Sequence, residues 1–171
     1  VCDYGIDSFD KNLVEFIEKL KIKKFINVQS NSLNFGFNLF NKYNNYSYLS
    51  LDEKEWKLGF RKKTNVLNNI TSLSKIKKIP LSITKGKEGS NLIYLDKNYF
   101  CPTFIDKTVD TTGCGDAFFV LTSLMNIVGC QNRIIPFIGN TYAGLHSQFF
   151  GNEKVVNKVE YLKYLKSILN F

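Results

Sequence analysis

Short apolar runs alternate with segments of helical periodicity along this sequence, and that alternation restricts the folds open to the chain. Runs typical of buried strands occupy residues 25–28, 48–51 and 80–84. Apolar residues at helical spacing predict helices near residues 9–21, 52–60, 68–74, 117–128, 134–149 and 157–169. Such alternation is typical of a mostly parallel sheet with helices on both faces. We therefore expect an α/β fold and, with no repeat or low-complexity linker, one domain over residues 1–171.

The first and last helices carry patterns that predict their caps and buried faces. In the first helix, four apolar residues recur at helical spacing: Leu13, Phe16, Ile17 and Leu20. We expect these side chains to form the buried face, with Asp7 or Ser8 as the N-cap. The last helix is predicted to begin at Asn157, because Glu160 three residues later completes a capping box.

Two segments between the predicted elements have less regular patterns. Residues 29–48 are rich in Asn and aromatic side chains, and residues 37–43 within them fit either a short helix or a loop without function. Residues 91–95 and 99–101 predict a hairpin whose turn is formed by residues 96–98.

Two glycine-containing loops, at residues 85–89 and 110–116, follow predicted strands. Because ligands of such sheets bind at the carboxyl ends of the strands, both loops are expected at the ligand-binding edge. Gly113 and Gly115 allow a tight turn and a close approach of the backbone to a ligand. A helix that begins here has amide N–H groups without partners, and these groups favour a phosphate. Two such loops on one edge indicate a nucleotide site.

Asp116 falls in the first turn of the helix that follows the second loop. Its carboxylate either stabilises the N-terminus of that helix or serves as a general base for a hydroxyl group. The residue pattern alone leaves both roles open, since a glycine loop with a nearby acidic residue also occurs in proteins without a phosphate site.

Composition argues against several classes of function. The net charge is +8, but Arg61 and Arg133 are the only arginines and the lysines are scattered, so we expect no nucleic-acid binding. No apolar run has the length of a membrane span, and no secretory signal opens the sequence, so we expect a cytoplasmic protein without membrane contact. The four cysteines form no C-x-x-C pair and His146, the single histidine, has no nearby ligand partner, which argues against zinc.

Residues 110–116, with the sequence D-T-T-G-C-G-D, resemble the C-terminal signature D-T-x-G-A-G-D of the ribokinase-like (PfkB) carbohydrate kinases. Cys114 stands in the position of the usual alanine. Residues 84–89 (T-K-G-K-E-G) resemble the T-x-G-x-x-G loop of that family, and residues 139–144 resemble the helix that closes over adenine. Residues 52–55 (D-E-K-E) stand where the family often has N-x-x-E, with Asp52 in place of Asn.

Other segments look most like the heptose-phosphate kinases of this family, including kinase domains joined to nucleotidyltransferases. These segments are residues 1–5, 27–31, 36–38 and 42–43. The likeness covers nearly the whole chain but only the C-terminal, nucleotide-binding part of the family's domain. It implies that the first strands, much of the sugar pocket and the small β-sheet lid lie outside this sequence, and a start without Met fits a piece of a longer protein.

The resemblance implies ATP-dependent phosphorylation of a hydroxyl group on a sugar or sugar phosphate. Asp116 would be the catalytic base, and the backbone amides of Gly113, Cys114 and Gly115 would form an anion hole. Nucleotide contacts are implied for Thr84, Gly86, Gly89, Asn140, Ala143 and Gly144. Metal contacts are implied for Glu55, Asp110 and Thr112. The implied cofactors are ATP, Mg²⁺ and a monovalent cation such as K⁺.

Two alternatives stay open beside this kinase interpretation. Without the lid and the sugar-binding strands, the chain would bind nucleotide and catalyse nothing, or act as a non-enzymatic binding module. Apolar surface left bare by truncation would also allow two chains to pair as a homodimer.

Overall fold

A computed structural model describes residues 1–5, 9–105, 107–151 and 153–170. Its strands are β1 (Cys2–Asp3), β2 (Phe25–Val28), β3 (Tyr48–Asp52), β4 (Leu81–Thr84), β5 (Ser90–Tyr94) and β6 (Lys97–Cys101). Its helices are α1 (Lys11–Lys19), α2 (Glu53–Phe60), α3 (Val66–Lys77), α4 (Cys114–Ile127), α5 (Ile135–His146) and α6 (Lys158–Leu169). The strands form one sheet in the order β1-β2-β3-β4-β5-β6, and β1 to β4 pair in parallel. The predicted α/β fold is confirmed.

The chain divides into two compact units. Unit 1 comprises Val1–Thr84 and Leu92–Asn98, and unit 2 comprises Lys85–Asn91 and Tyr99–Phe171. Unit 1 holds β1 to β4 with α1 to α3, and unit 2 holds α4, α5 and α6. The single domain over residues 1–171 stays a prediction. None of the described helices has the length and apolar character needed to cross a bilayer.

The core of unit 1 is formed by the parallel strands and by Trp56 of α2. Leu49, Leu51 and Ile83 of β3 and β4 are fully buried, as expected for strands of a parallel sheet, which is typically covered on both faces. Trp56 is equally buried, and its indole N–H donates to Ser82 O at 3.0 Å. This hydrogen bond satisfies the polar group of the largest side chain in the core.

The buried face of α1 differs from the prediction. Val14 and Ile17 are buried, whereas Leu13 and Phe16 are 37% and 59% exposed. The apolar residues of α1 cover a wider surface than the one that packs against the core. Packing therefore decides which of these residues are buried. The N-cap is Asp10, whose Oδ1 accepts from Leu13 N–H at 2.8 Å. The predicted caps Asp7 and Ser8 lie outside the described residues.

The hairpin β5–β6 forms as predicted, but its predicted turn at residues 96–98 is wrong. Lys97 and Asn98 belong to β6, and the turn is Leu95–Asp96. Leu95 has φ 58°, which two-residue hairpin turns require, and its N–H donates to Ser74 Oγ at 2.8 Å. The hydrogen bond to Ser74 of α3 therefore holds Leu95 in a left-handed backbone conformation that is unfavourable for leucine.

Other local predictions are confirmed. Asn157 and Glu160 form the capping box of α6, with Glu160 N–H donating to Asn157 Oδ1 at 3.0 Å. Residues 37–43, for which a short helix and a loop were both open, contain the 3₁₀ turn Phe40–Lys42. The helix predicted to carry Asp116 in its first turn is α4, which begins at Cys114.

Asp3 is a fully buried carboxylate at the end of β1. It accepts hydrogen bonds from Gly5 N–H (3.0 Å), Tyr43 Oη–H (2.8 Å) and Asn38 Nδ2–H (3.2 Å), and it lies 2.6 Å from Lys42 Nζ. Burial, reinforced by the hydrogen bond to Asp3, raises the pKa of Tyr43 above its usual range. A buried charge is tolerated only when it is paired, so this cluster joins the Asn-rich segment to β1.

The loop Lys85–Gly89 closes on itself and packs against the end of β6. Gly89 N–H donates to Gly86 O at 3.1 Å, and Lys85 N–H donates to Gly89 O at 2.9 Å. Gly89 has φ 100°, and a Cβ atom there would lie 2.2 Å from Cys101 O. Gly86 has φ 55°, and a Cβ atom there would have no neighbour within 4 Å. At position 89, the contact with Cys101 O would exclude a side chain even if the backbone angle allowed one.

We expect Tyr43→Phe to lower the free energy of unfolding by about 1–3 kcal/mol, because Asp3 loses one hydrogen-bond donor in a buried setting. Urea denaturation followed by circular dichroism measures the change. Tyr46→Phe is the matched control, since Tyr46 is 6% exposed in the same core and its hydroxyl has no hydrogen-bond partner among the described residues. The control should change by less than about 0.5 kcal/mol. Equal losses in the two variants would contradict the role of the Asp3 hydrogen bond.

Gly89→Ala and Gly86→Ala form a second matched pair within one loop. We expect Gly89→Ala to cost about 2–4 kcal/mol of unfolding free energy, because strain and a backbone clash add. Gly86→Ala should cost about 1–2 kcal/mol, from its left-handed backbone alone. Thermal and urea unfolding of both variants test the difference, and a cost for Gly86→Ala equal to or above that for Gly89→Ala would contradict it.

Candidate active site

The signature loop, residues 110–116, runs into the N-terminus of α4 in unit 2. Gly113 is the N-cap of this helix, with φ 75° and ψ −4°, so no side chain caps the first turn. Cys114 N–H donates to Thr111 O at 3.2 Å, closing a turn before the helix. A Cβ atom at Gly115 would have no neighbour within 4 Å, so open space adjoins the first turn. Helix N-termini of this kind bind anions.

Packing between α4 and α5 holds this helix in place. Phe118 and Thr122 of α4 are buried, and a Cβ atom at Gly139 of α5 would lie 2.5 Å from the Phe118 ring. The two helices therefore approach closely only because position 139 lacks a side chain. The signature loop leads into the N-terminus of α4, so the packing of α4 against α5 also holds the C-terminal end of the loop.

Asp110 stabilises the loop from its first residue. Its Oδ1 accepts from the Thr112 N–H and hydroxyl, both at 2.9 Å, and its Oδ2 accepts from Gly151 N–H at 2.9 Å. Hydrogen bonds from Thr112 and Gly151 hold the pKa of Asp110 below its usual range. The structure thus brings together two of the residues predicted to contact a metal ion, Asp110 and Thr112, as an ionised carboxylate beside a hydroxyl.

The segment that follows α5 holds the other side of the loop. Ser147 O accepts from Val109 N–H at 2.8 Å and from Asp110 N–H at 3.2 Å. His146 Nε2 lies 3.1 Å from Thr112 O. Sequence analysis missed Ser147 and Gly151, and it considered His146 only as a zinc ligand. The sequence carries no local signal for these contacts, because they join residues more than 30 positions apart.

Cys114 replaces the usual alanine without adding negative charge to the site. Its thiol is half-buried and lies 3.5 Å from Ala143 O. Burial, with a smaller contribution from the Asp110 carboxylate, raises the pKa of the thiol to about 11. The group is therefore neutral at pH 7, and the anion-binding character of the helix N-terminus is preserved.

Asp116 is the third residue of α4 and the acidic residue of its first turn. A carboxylate at this position interacts favourably with the positive end of the helix dipole. The side chain is partly exposed. Both roles that the sequence left open, helix stabilisation and general base, are compatible with this position.

The three residues predicted on α5 have different surroundings. Asn140 is buried, and its Nδ2 donates to Cys101 O at 2.7 Å and to Pro102 O at 3.0 Å. Both N–H groups of that amide are used to join α5 to the end of β6. Ala143 contacts Cys114 through its carbonyl, and a Cβ atom at Gly144 would lie 3.1 Å from Ile105 Cγ1. Their nucleotide contacts stay predictions.

Thr84 ends β4, and Gly86 and Gly89 belong to the loop described above. Of these glycines, Gly86 is the one with open space beside it, because Gly89 faces the backbone of β6. A ligand can therefore approach the backbone at Gly86 more closely than at Gly89.

Glu55, in unit 1, forms part of the capping box at the N-terminus of α2. Its Oε2 accepts from Asp52 N–H at 2.8 Å and its Oε1 from Ser30 N–H at 3.0 Å. Asp52 Oδ1 completes the capping box by accepting from Glu55 N–H at 2.7 Å. Within the described part of the chain, no three His, Cys, Asp or Glu side chains come together as a metal site.

A surface cavity of about 620 Å³ lies elsewhere, in unit 1 between α1 and residues 42–44. Its charged lining residues are Lys11, Glu15, Glu18, Lys19 and Lys42. Mixed charges on long side chains do not select one kind of ligand, and none of the predicted site residues lies there. The signature loop is the better candidate for an active site.

Comparison with known proteins places these features in a family. Residues 12–121 match the family described as pfkB family carbohydrate kinase. No curated protein is similar enough in sequence to count as a relative.

Solved structures with the same fold include sugar and nucleoside kinases. Ribokinase from Arabidopsis thaliana, complexed with ribose and ATP, has a TM-score of 0.72 at 19% identity, covering 91% of this chain and 51% of that one. Ribokinase from Thermotoga maritima gives 0.63 at 23% identity, covering 71% and 42%. A nucleoside kinase from Burkholderia thailandensis in complex with inosine gives 0.61 at 20% identity, covering 74% and 41%.

The chain spans about half or less of the length of these structures. At such identities the structural likeness shows the fold alone, which is that of the ribokinases. The family match covers more than half of the chain, and it includes the signature loop that caps α4. This chain therefore belongs to the pfkB family of carbohydrate kinases.

Proposed function

We propose that this chain supplies the nucleotide site and the catalytic base for ATP-dependent phosphorylation of a hydroxyl group on a sugar or sugar phosphate. The observation that carries the proposal is the N-terminus of α4. It has glycine at the N-cap, open space at Gly115 and a carboxylate, Asp116, in the first turn. A phosphoryl group and a hydroxyl acceptor are the two partners that this arrangement fits.

In the proposed reaction, the acceptor hydroxyl loses its proton to the Asp116 carboxylate as its oxygen attacks the γ-phosphorus of ATP, and ADP leaves. Backbone N–H groups of Gly113, Cys114 and Gly115 stabilise the charge on the transferred group. Cys114 N–H already donates a long hydrogen bond to Thr111 O, so its contact with the transferred group would be a bifurcated hydrogen bond. Glycine at 113 and 115 keeps side chains away from the phosphoryl group.

Metal ions are assigned to two places in the proposal. Mg²⁺ bound to the ATP phosphates would supply charge stabilisation, with Glu55 as the residue that the family resemblance implicates. Asp110 and Thr112 would contribute oxygen atoms to a K⁺ site beside the loop. The ionised Asp110 carboxylate suits a cation, and its hydrogen bonds to Thr112 and Gly151 hold it in one orientation.

The remainder of ATP would lie along the loop Lys85–Gly89 and against α5. Thr84, Gly86 and Gly89 are proposed to contact phosphates and ribose, and Asn140, Ala143 and Gly144 to border the adenine. Asn140 would act indirectly, since its amide N–H groups hold the end of β6. The heptose-phosphate likeness of residues 1–5, 27–31, 36–38 and 42–43 makes a sugar phosphate our first choice of acceptor.

The cysteines support a reducing location for the proposed enzyme. In the described part of the chain, no disulfide bond joins any two of the four cysteines Cys2, Cys101, Cys114 and Cys130. Thiols of this kind persist in the cytoplasm, where disulfides are rare.

A second candidate function is nucleotide binding without catalysis. It is favoured by one observation, that the chain spans 42% of the length of one ribokinase and 51% of another. Catalysis of phosphoryl transfer requires exclusion of water, and a binding module needs only the phosphate-binding loop. The two candidates differ in whether bound ATP is converted to ADP.

We expect Asp116→Asn to lower turnover by about 10²–10⁴-fold, the usual contribution of a general base, with little change in affinity for ATP. ADP formation is measured with a panel of sugars, sugar phosphates and nucleosides as acceptors. Glu153→Gln is the control, because it removes an exposed carboxylate of the same unit. Turnover of Asp116→Asn near that of the control would contradict the general-base role. ATP binding without ADP formation for every acceptor would favour the binding module.

A further inference from the structure

His146 is the single histidine of the chain, and it ends α5 beside the signature loop. Its Nε2 lies 3.1 Å from the backbone oxygen of Thr112. A carbonyl oxygen only accepts hydrogen bonds, so Nε2 must carry the hydrogen. The contact therefore selects one tautomer of the neutral ring, the form protonated on Nε2.

The Thr112 carbonyl belongs to the same peptide unit as the Gly113 N–H. A trans peptide is planar, and its C=O and N–H point in opposite directions. The described residues contain no cis peptide bond. A hydrogen bond that fixes the direction of Thr112 O therefore also fixes the direction of the Gly113 N–H.

This peptide unit needs an external restraint because it precedes a glycine. Gly113 has φ 75°, and glycine also adopts negative φ values readily, so the Thr112–Gly113 peptide is able to rotate. The other contacts from the end of α5 and the residues after it reach Lys107, Val109 and Asp110, and none of these contacts involves the Thr112–Gly113 peptide. His146 is the side chain that holds the peptide next to the anion position.

We propose that His146 positions the Thr112–Gly113 peptide, so that the Gly113 N–H faces the phosphoryl group of the bound nucleotide. His146 itself touches neither nucleotide nor acceptor, so it is a positioning residue and not a catalytic one. The inference rests on the proposed nucleotide site at the N-terminus of α4. It predicts a defined ring tautomer and a contribution to nucleotide affinity.

The first test is nuclear magnetic resonance of the ¹⁵N-labelled chain at a pH where the ring is neutral. With a single histidine, the two ring nitrogens give the only imidazole signals and need no assignment. We expect a protonated Nε2 and an unprotonated Nδ1. A ring protonated on Nδ1, or one that averages rapidly between tautomers, would overturn the inference whether or not nucleotide binds.

The second test is calorimetric titration of three variants with Mg·ATP. His146→Leu should weaken binding about threefold to tenfold, the range of one net hydrogen bond. His146→Gln should restore affinity to within about twofold of the unaltered chain, because its amide N–H also reaches a carbonyl at this distance. The control is Gln148→Leu, which removes a comparable side-chain hydrogen bond, from Gln148 Nε2 to Lys107 O (2.6 Å), outside the signature loop. The control should bind normally.

Two results separate the failure of this inference from failure of the proposed function. Equal affinity of His146→Leu and the unaltered chain overturns the positioning role and leaves the nucleotide site in place. No binding of Mg·ATP by the unaltered chain overturns the nucleotide site, and the positioning role with it. Urea midpoints of all variants show whether a loss of affinity comes from unfolding, and a normal midpoint for His146→Leu with weakened binding supports the inference.

Discussion

The start of α4, which has no side-chain cap, is the constraint on which the rest of the proposed site depends. A glycine with φ 75° occupies the N-cap, so no side-chain oxygen satisfies the first-turn N–H groups. Such groups need an acceptor, and the open space beside Gly115 leaves room for one from a ligand. The proposed anion site thus takes the place of a cap, which elsewhere contributes about 1 kcal/mol to stability.

The surrounding structure offsets this cost by fixing the loop from both sides. Asp110 accepts three hydrogen bonds from Thr112 and Gly151, and Ser147 O accepts two, from Val109 N–H and Asp110 N–H. All of these groups belong to unit 2. A preorganised backbone of this kind binds a phosphoryl group without further ordering, which is what phosphoryl transfer requires of a protein.

Features set by neighbouring residues were predictable from the sequence, whereas those set by distant contacts were not. The signature loop and the capping box at Asn157 depend on residues within a few positions of each other. The buried face of α1 and the hairpin turn depend on packing, and Ser74 fixes that turn from 21 positions away. The same limit applies to the site, where His146 reaches Thr112 across 34 positions. No periodicity or motif records such a contact, so only the folded chain reveals it.

The central claim is that a nucleotide phosphate binds at the N-terminus of α4, and ¹⁵N-glycine labelling tests it directly. The chain has 11 glycines, and single substitutions assign the amide signals of Gly113, Gly115 and Gly129. Gly129 follows the other end of α4, which spans about 20 Å, and serves as the internal reference. We predict that Mg·ATP shifts the signals of Gly113 and Gly115 and leaves that of Gly129 in place. Unshifted signals of Gly113 and Gly115, with or without changes at other glycines, would contradict the account.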